Sequence, residues 1–266
     1  MNKSSDFRTL CVHAGELKDT QYGGAISPLY ASTSYNYDDV DIKQYPRYFN
    51  TPNQRGLCEK IAALEGAETG LIFGSGMAAV STALLSHLRS GDHVVFQDDI
   101  YGGTRNFIKK EFPKYGIEYS FTKGLNAADF KAKITPQTKG IYIETPSNPL
   151  LKITDLKAVS DLAKSESIWT MIDNTFASPV NQNPIAHGID IVIHSATKYL
   201  GGHSDISAGV VLASESIIEK VYESAKNLGG NLSEYTVWLL ERSIKTLYIR
   251  VQAQNKNAQL LSNFLQ

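Results

Sequence analysis

From Gly56 to Leu212 short apolar runs alternate with segments of helical spacing, and this alternation leaves few folds open. Leu71-Ile72-Phe73, His93–Phe96, Ile117–Phe121, Gly140–Ile143, Ile168–Ile172, Ile189–Ile193 and Gly209–Leu212 read as buried strands. Leu57, Ile61 and Leu64 mark one helix face that ends at Gly66, and further helices are predicted over about Gly76 to Arg89 and over Thr154–Ser165. Strands that alternate with helices imply an α/β fold, a mostly parallel sheet with helices on both faces. No internal repeat or low-complexity tract competes with that reading.

The flanks differ. Gly23-Gly24, Pro28, Pro46 and Pro52 break up a tyrosine-rich stretch that holds no single period, so residues 1–55 are expected to form an irregular arm ahead of an α/β domain at 56–245. The stretch Ser233–Gln266 is helical in pattern without a stop signal, and 246–266 is read as the start of a helix leading onward. A net charge of -1, from 26 basic and 27 acidic residues, offers no field to gather nucleic acid or an anionic membrane. Cys11 and Cys58 are far apart and read as reduced thiols of a cytoplasmic protein, and no apolar run suits a signal peptide or a membrane span.

Three segments carry chemistry. His194-Ser195-Ala196-Thr197-Lys198-Tyr199 follows a strand and sets one lysine among hydroxyls. That lysine either reaches into solvent or is a desolvated amine kept near a carbonyl. Asp173 ends the strand Ile168–Ile172, where open α/β sheets bind ligands; it serves either as a cap or as a partner for a protonated pyridine nitrogen. Gly74-Ser75-Gly76-Met77-Ala78-Ala79 is a glycine turn opening a helix, suited to an anion. As G-x-G-x-x-A, with Asp98 or Asp99 downstream, it equally fits a dinucleotide fingerprint and a nicotinamide-dependent oxidoreductase.

Ser195-Ala196-Thr197-Lys198-Tyr199 with Gly202-His203-Ser204-Asp205 resembles the cofactor-lysine signature of the Cys/Met metabolism (cystathionine synthase/lyase) family of fold-type I pyridoxal-phosphate enzymes. The likeness runs from about His13-Ala14-Gly15 to the end of the chain, through Tyr101-Gly102-Gly103-Thr104, Glu144-Thr145-Pro146-Ser147-Asn148-Pro149 and Ile172-Asp173-Asn174-Thr175. The resemblance implies an aspartate-aminotransferase-like large domain and pyridoxal 5'-phosphate as cofactor. It implies that Lys198 holds the cofactor as a Schiff base and moves protons, that Asp173 pairs with the ring nitrogen, and that Tyr101 stacks on the ring. Gly76, Met77, Ser195 and Thr197 would cradle the phosphate, and Asn148 would lie by the phenolic oxygen and the substrate carboxylate. Tyr45 and Arg47 would enter the neighbouring subunit's phosphate site, which implies a homodimer or a dimer of dimers. Each has a plainer alternative: Tyr101 as a core aromatic, Asn148 as a turn residue and Arg47 as a surface arginine.

His203 reads as structural, and His13, His87, His93, His187 and His194 show no ligand spacing, so no metal is expected. The implied function is trans-sulfuration of sulfur amino acids: cystathionine β- or γ-lyase or cystathionine γ-synthase, with methionine γ-lyase or O-acetylhomoserine sulfhydrylase as alternatives. The resemblance also implies a following C-terminal domain of roughly a hundred residues that supplies an arginine for the substrate carboxylate. An inactive cofactor-binding fragment is therefore a further alternative.

Overall fold

A computed structural model describes residues 6–38 and 40–266. The strands are β1 (Thr69–Phe73), β2 (His93–Phe96), β3 (Glu118–Phe121), β4 (Thr138–Glu144), β5 (Trp169–Asp173), β6 (Ile191–His194) and β7 (Gly209–Ala213). The helices are α1 (Phe7–His13), α2 (Pro52–Glu65), α3 (Gly76–His87), α4 (Gly102–Glu111), α5 (Ala127–Lys131), α6 (Leu156–Ser165), α7 (Ser178–Asn181), α8 (Glu215–Leu228), α9 (Glu234–Ile244) and α10 (Leu247–Leu265).

The seven strands form one sheet in the order β1-β7-β6-β5-β4-β2-β3. Every pairing is parallel except those of β7, which runs antiparallel to both β1 and β6. Six strands therefore point one way, and the carboxyl ends of β1, β2, β4, β5 and β6 meet at one edge with the start of β7. The sheet is buried on both faces, which is why its strands read as continuous apolar runs rather than alternating ones. Ile72, Val95, Ile141, Ile143, Ile172 and Val192 pack under α2, α6 and α9, while Phe73, Val94, Phe96, Tyr142, Met171 and Ile193 pack under α3, α4 and α8. Each such side chain contributes about 1.5–3 kcal/mol on burial.

Local chemistry sets the helix ends. Thr51 and Gln54 form a reciprocal capping box with Pro52 in the first turn, and Gly66 closes α2 at φ +73°. That cap starts α2 at Pro52. The arm also differs from the irregular segment expected: Asp6 accepts from Arg8 N–H and starts α1, whose buried Cys11 faces the α/β body. The helical stretch Ser233–Gln266 divides into α9 and α10. The chain breaks at Lys245-Thr246, where Thr246 Oγ1 donates to Ser243 O (3.1 Å), a local bond that competes with the helical ladder.

The arm is pinned through polar groups that the body buries. Lys60 is 0% exposed, and its ammonium donates to Val12 O (3.0 Å) and Cys11 O (3.3 Å). Burial lowers its pKa against the opposing pull of Glu241 and Glu16. Ser27 Oγ donates to Glu241 (2.7 Å), and Trp238 Nε1 donates to Ser27 O (2.9 Å). Replacing Lys60 by Met keeps the bulk but strands two carbonyls at a cost of about 2 kcal/mol. Denaturant unfolding is expected to show that loss, with faster amide exchange across α1; unchanged exchange there would refute the anchoring role.

Candidate functional site

At the carboxyl edge of the sheet lies a cavity of about 810 Å³ that gathers Ser75, Gly76, Met77, Tyr101, Asn148, Asp173, Ser195, Thr197 and Lys198. Eight of the ten residues singled out from sequence, all but Tyr45 and Arg47, meet there. The loop after β1 supplies one wall. Ser75 caps α3 by accepting from Ala78 N–H (3.1 Å), and the first turn leaves the N–H groups of Gly76 and Met77 without intrahelical acceptors. Gly76 is required sterically, because a Cβ there would sit 2.7 Å from Ser195 Cβ and 2.9 Å from its Oγ. The helix terminus and the Ser195 hydroxyl thus face one small space suited to an anion.

The turn after β6 supplies the amine. Ser195 N–H donates to Thr175 Oγ1 (2.7 Å), Lys198 N–H to Ser195 O (3.1 Å) and Gly202 N–H to Lys198 O (2.7 Å). Thr197 Oγ1 exchanges bonds with Ala208, accepting its N–H (3.1 Å) and donating to its carbonyl (3.2 Å). The backbone of Lys198 is thereby held while its side chain is exposed toward the cavity. Of the two readings left open above, a solvated lysine or a desolvated amine, the exposure of this side chain fits the first. His203 is structural, its Nδ1 meeting Gly201 O at 2.7 Å.

Opposite stand two carboxyl groups on adjacent strands. Asp173 ends β5 and is 7% exposed; Glu144 ends β4 in register beside it and is 4% exposed. Burial raises the pKa of Asp173, opposed by Thr175, whose N–H donates to Oδ1 (3.0 Å), and by His194. Burial and then the charge of Asp173 push Glu144 up to about 7, against the N–H groups of Tyr101 and Asn148. Tyr101 is 47% exposed, and its ring lies over the first turn of α4 because Gly103 has no Cβ, which would sit 2.4 Å from Tyr101 Cε1.

Glu144 was not singled out by sequence reasoning, although a carboxylate closing the apolar run Gly140–Ile143 is the same signal that marked Asp173. A second unforeseen cluster lies behind the site. Glu65, closing α2, accepts from His194 Nε2 (2.6 Å) and Asn174 Nδ2 (2.8 Å), both fully buried. No short-range pattern announces a pairing across 129 residues.

Tyr45 and Arg47 do not line the cavity of their own chain. Arg47 donates to Lys226 O (2.5 Å) and lies 5.1 Å from the Tyr48 ring centroid and 5.5 Å from that of Tyr45. The acids needed for a dinucleotide ribose are engaged elsewhere: Asp98 pairs with Arg105 (2.9 Å), and Asp99 accepts from Ser147 Oγ (2.5 Å). Among the described residues, no three His, Cys, Asp or Glu side chains gather as metal ligands, and no helix is long and apolar enough to cross a membrane.

Comparison with known proteins agrees with this geometry. The profile of the Cys/Met metabolism PLP-dependent enzymes matches residues 8–266. The chain is 41% identical over 265 residues to cystathionine beta-lyase of Lactococcus lactis subsp. cremoris, a match spanning 98% of this chain and 70% of that protein. It is 38% identical over 266 residues to cystathionine gamma-synthase/O-acetylhomoserine (thiol)-lyase of Bacillus subtilis, spanning 99% of this chain and 71% of that one. The crystal structure of cystathionine gamma-lyase from Lactobacillus plantarum complexed with L-serine superposes with a TM-score of 0.93 at 36% identity, covering 98% of this chain and 69% of that one.

The raised pKa values carry a sign. A carboxyl whose folded pKa exceeds its ordinary 4.5 binds its proton more tightly when folded, so its contribution to stability is present below 4.5 and is lost as pH rises toward about 7. Relative to wild type, cofactor-free Glu144→Gln is therefore expected to gain stability between about pH 5 and about pH 8. Parallel melting curves for the two proteins across that range would contradict the buried carboxyl pair.

Proposed function

The chain belongs to the Cys/Met metabolism family of PLP-dependent enzymes, a family of carbon–sulfur lyases and transferases that act on amino acids, and from that premise we propose that it cleaves or builds cystathionine at the cavity of Lys198. The observation that carries this reading is the arrangement of three complementary groups around one cavity. Lys198 and the buried carboxyl of Asp173 line it together with the N-terminus of α3 and the hydroxyl residues Ser195 and Thr197.

Pyridoxal 5'-phosphate fits that set. Its aldehyde matches the Lys198 amine, its ring nitrogen matches a buried carboxyl that would otherwise take up a proton, and its phosphate matches the N–H groups of Gly76 and Met77 with the Ser195 hydroxyl, joined by that of Thr197 if its proton turns from Ala208 O. When bound, the cofactor supplies an electron sink for the substrate's α-carbon. Asp173 keeps the proton on the ring nitrogen, the form that draws electrons most strongly. The Lys198 amine would move the α-proton of the substrate, on a side chain exposed to the cavity. Tyr101 would hold the cofactor by stacking and exclude water, while Asn148 would orient the substrate carboxylate. Loss of a β- or γ-substituent then releases a thiol, or a second substrate adds to form a thioether.

We assign residues 1–55 as an arm that reaches a second copy of the chain, residues 56–245 as the cofactor domain and residues 246–266 as a connecting helix. Tyr45 and Arg47 contribute to the partner's phosphate site in a homodimer or a dimer of dimers. Their position outside their own cavity supports this, as do the exposed Ile26, Leu29, Tyr30, Tyr37 and Ile42 of the same arm. The cytoplasm is the proposed compartment, consistent with two free, buried cysteines.

Incubation with pyridoxal phosphate is expected to give a visible absorption band that cystathionine perturbs, and borohydride should fix the label on the peptide carrying Lys198. Lys198→Ala should lose the fixation and about a thousandfold or more of turnover. A wild-type chain that takes no label, or a variant that keeps turnover, would sink the assignment.

A further inference from the structure

Two loops at the carboxyl edge carry side chains that the proposed reaction uses, Tyr101 after β2 and Asn148 after β4, and one side chain ties both. Glu144 Oε2 accepts the Tyr101 N–H (2.7 Å), and Oε1 accepts the Asn148 N–H (3.0 Å). The main chain of Glu144 is bound into the same junction. Gln97 Nε2 donates to Glu144 O (2.7 Å) and Asp99 O (2.9 Å), while Gln97 Oε1 accepts from Glu144 N–H (3.4 Å) and the Thr154 hydroxyl (3.0 Å). Ser147 Oγ, donating to Asp99 Oδ2 (2.5 Å), adds a second tie between the loops.

A carboxylate is a costly choice here, because it is buried beside Asp173 and the two negative charges repel. An amide would remove the repulsion. It would also offer a single acceptor oxygen where the geometry uses two, and would turn an NH₂ toward one of the N–H donors. The double-acceptor role therefore accounts for the residue type, and it is complete above about pH 7, where the carboxyl is ionised and accepts about twice as strongly as a neutral group.

We propose that Glu144 is a positioning residue of this site: by accepting both main-chain N–H groups it locks the Tyr101 ring and Asn148 to the end of β4, so that the two cavity walls hold one geometry. This rests on the reading of Tyr101 and Asn148 given above. The distinction from a merely structural carboxyl is that its effect runs through Tyr101.

The test compares wild type, Glu144→Gln, Tyr101→Ala and the double variant, with melting curves to verify folding. The readouts are the release rate of pyridoxal phosphate into a trapping apoenzyme, the visible circular dichroism of the bound cofactor, and amide exchange at Tyr101 and Asn148. Glu144→Gln is expected to speed release about tenfold, to weaken the visible dichroism and to speed exchange of one or both amides, and its effect on release should largely vanish in the Tyr101→Ala background. Glu144→Asp, which keeps the charge but is one methylene too short to reach both N–H groups, should act in the same direction and serves if the amide variant fails to fold. Unchanged release and exchange in a folded variant, or losses that add in full in the double variant, would overturn the proposal. If wild type binds no pyridoxal phosphate, the functional reading fails by itself, and amide exchange in the cofactor-free protein still decides the role of Glu144.

Discussion

Asp173 is a carboxyl group buried at the end of a central strand without a cationic side chain to pair with among its described hydrogen-bond partners, and the arrangement of the site follows from that constraint. Taking an acid out of water costs free energy unless a partner or a proton compensates. Thr175 and the buried His194 supply part of the compensation, and Glu144 next door works against it. The balance leaves a position that favours a bound cation, in a cavity also lined by a lysine and a helix terminus. The sheet makes this possible: parallel strands bring several carboxyl ends to one edge, so residues from β1, β4, β5 and β6 meet without any loop having to fold back.

Much of this was legible in the sequence because strands buried on both faces leave unbroken apolar runs. All seven strands lie within a few residues of their expected ends, from Leu71-Ile72-Phe73 to Gly209–Leu212. The antiparallel course of β7 was not anticipated, although its cue was present: residues 195–208 contain no crossover helix, and only a crossover returns a strand parallel to its neighbour. The short α1 escaped notice because about two turns of helix hold only by docking, through Cys11 and the buried Lys60.

For the site itself, single residues in marked positions were readable, whereas contacts that join distant segments were not. Lys198, Asp173 and Gly76 each sit where a strand gives way to a turn, and that punctuation is local. The reach of Glu144 to Tyr101 and the grip of Glu65 on His194 depend on which strands become neighbours, a fact of topology rather than of spacing. Of the two readings left open for Lys198, sequence could not choose for a related reason. A turn among hydroxyls says nothing about what covers it, and in this chain the cavity is open.

The central claim is that the buried Asp173 carboxyl holds a proton on the cofactor's ring nitrogen, and nitrogen-15 NMR of protein loaded with ring-labelled pyridoxal phosphate tests it most directly. The account predicts the chemical shift of a protonated pyridinium in wild type and a shift toward the neutral ring in Asp173→Asn. A neutral ring nitrogen in the wild-type protein would contradict it.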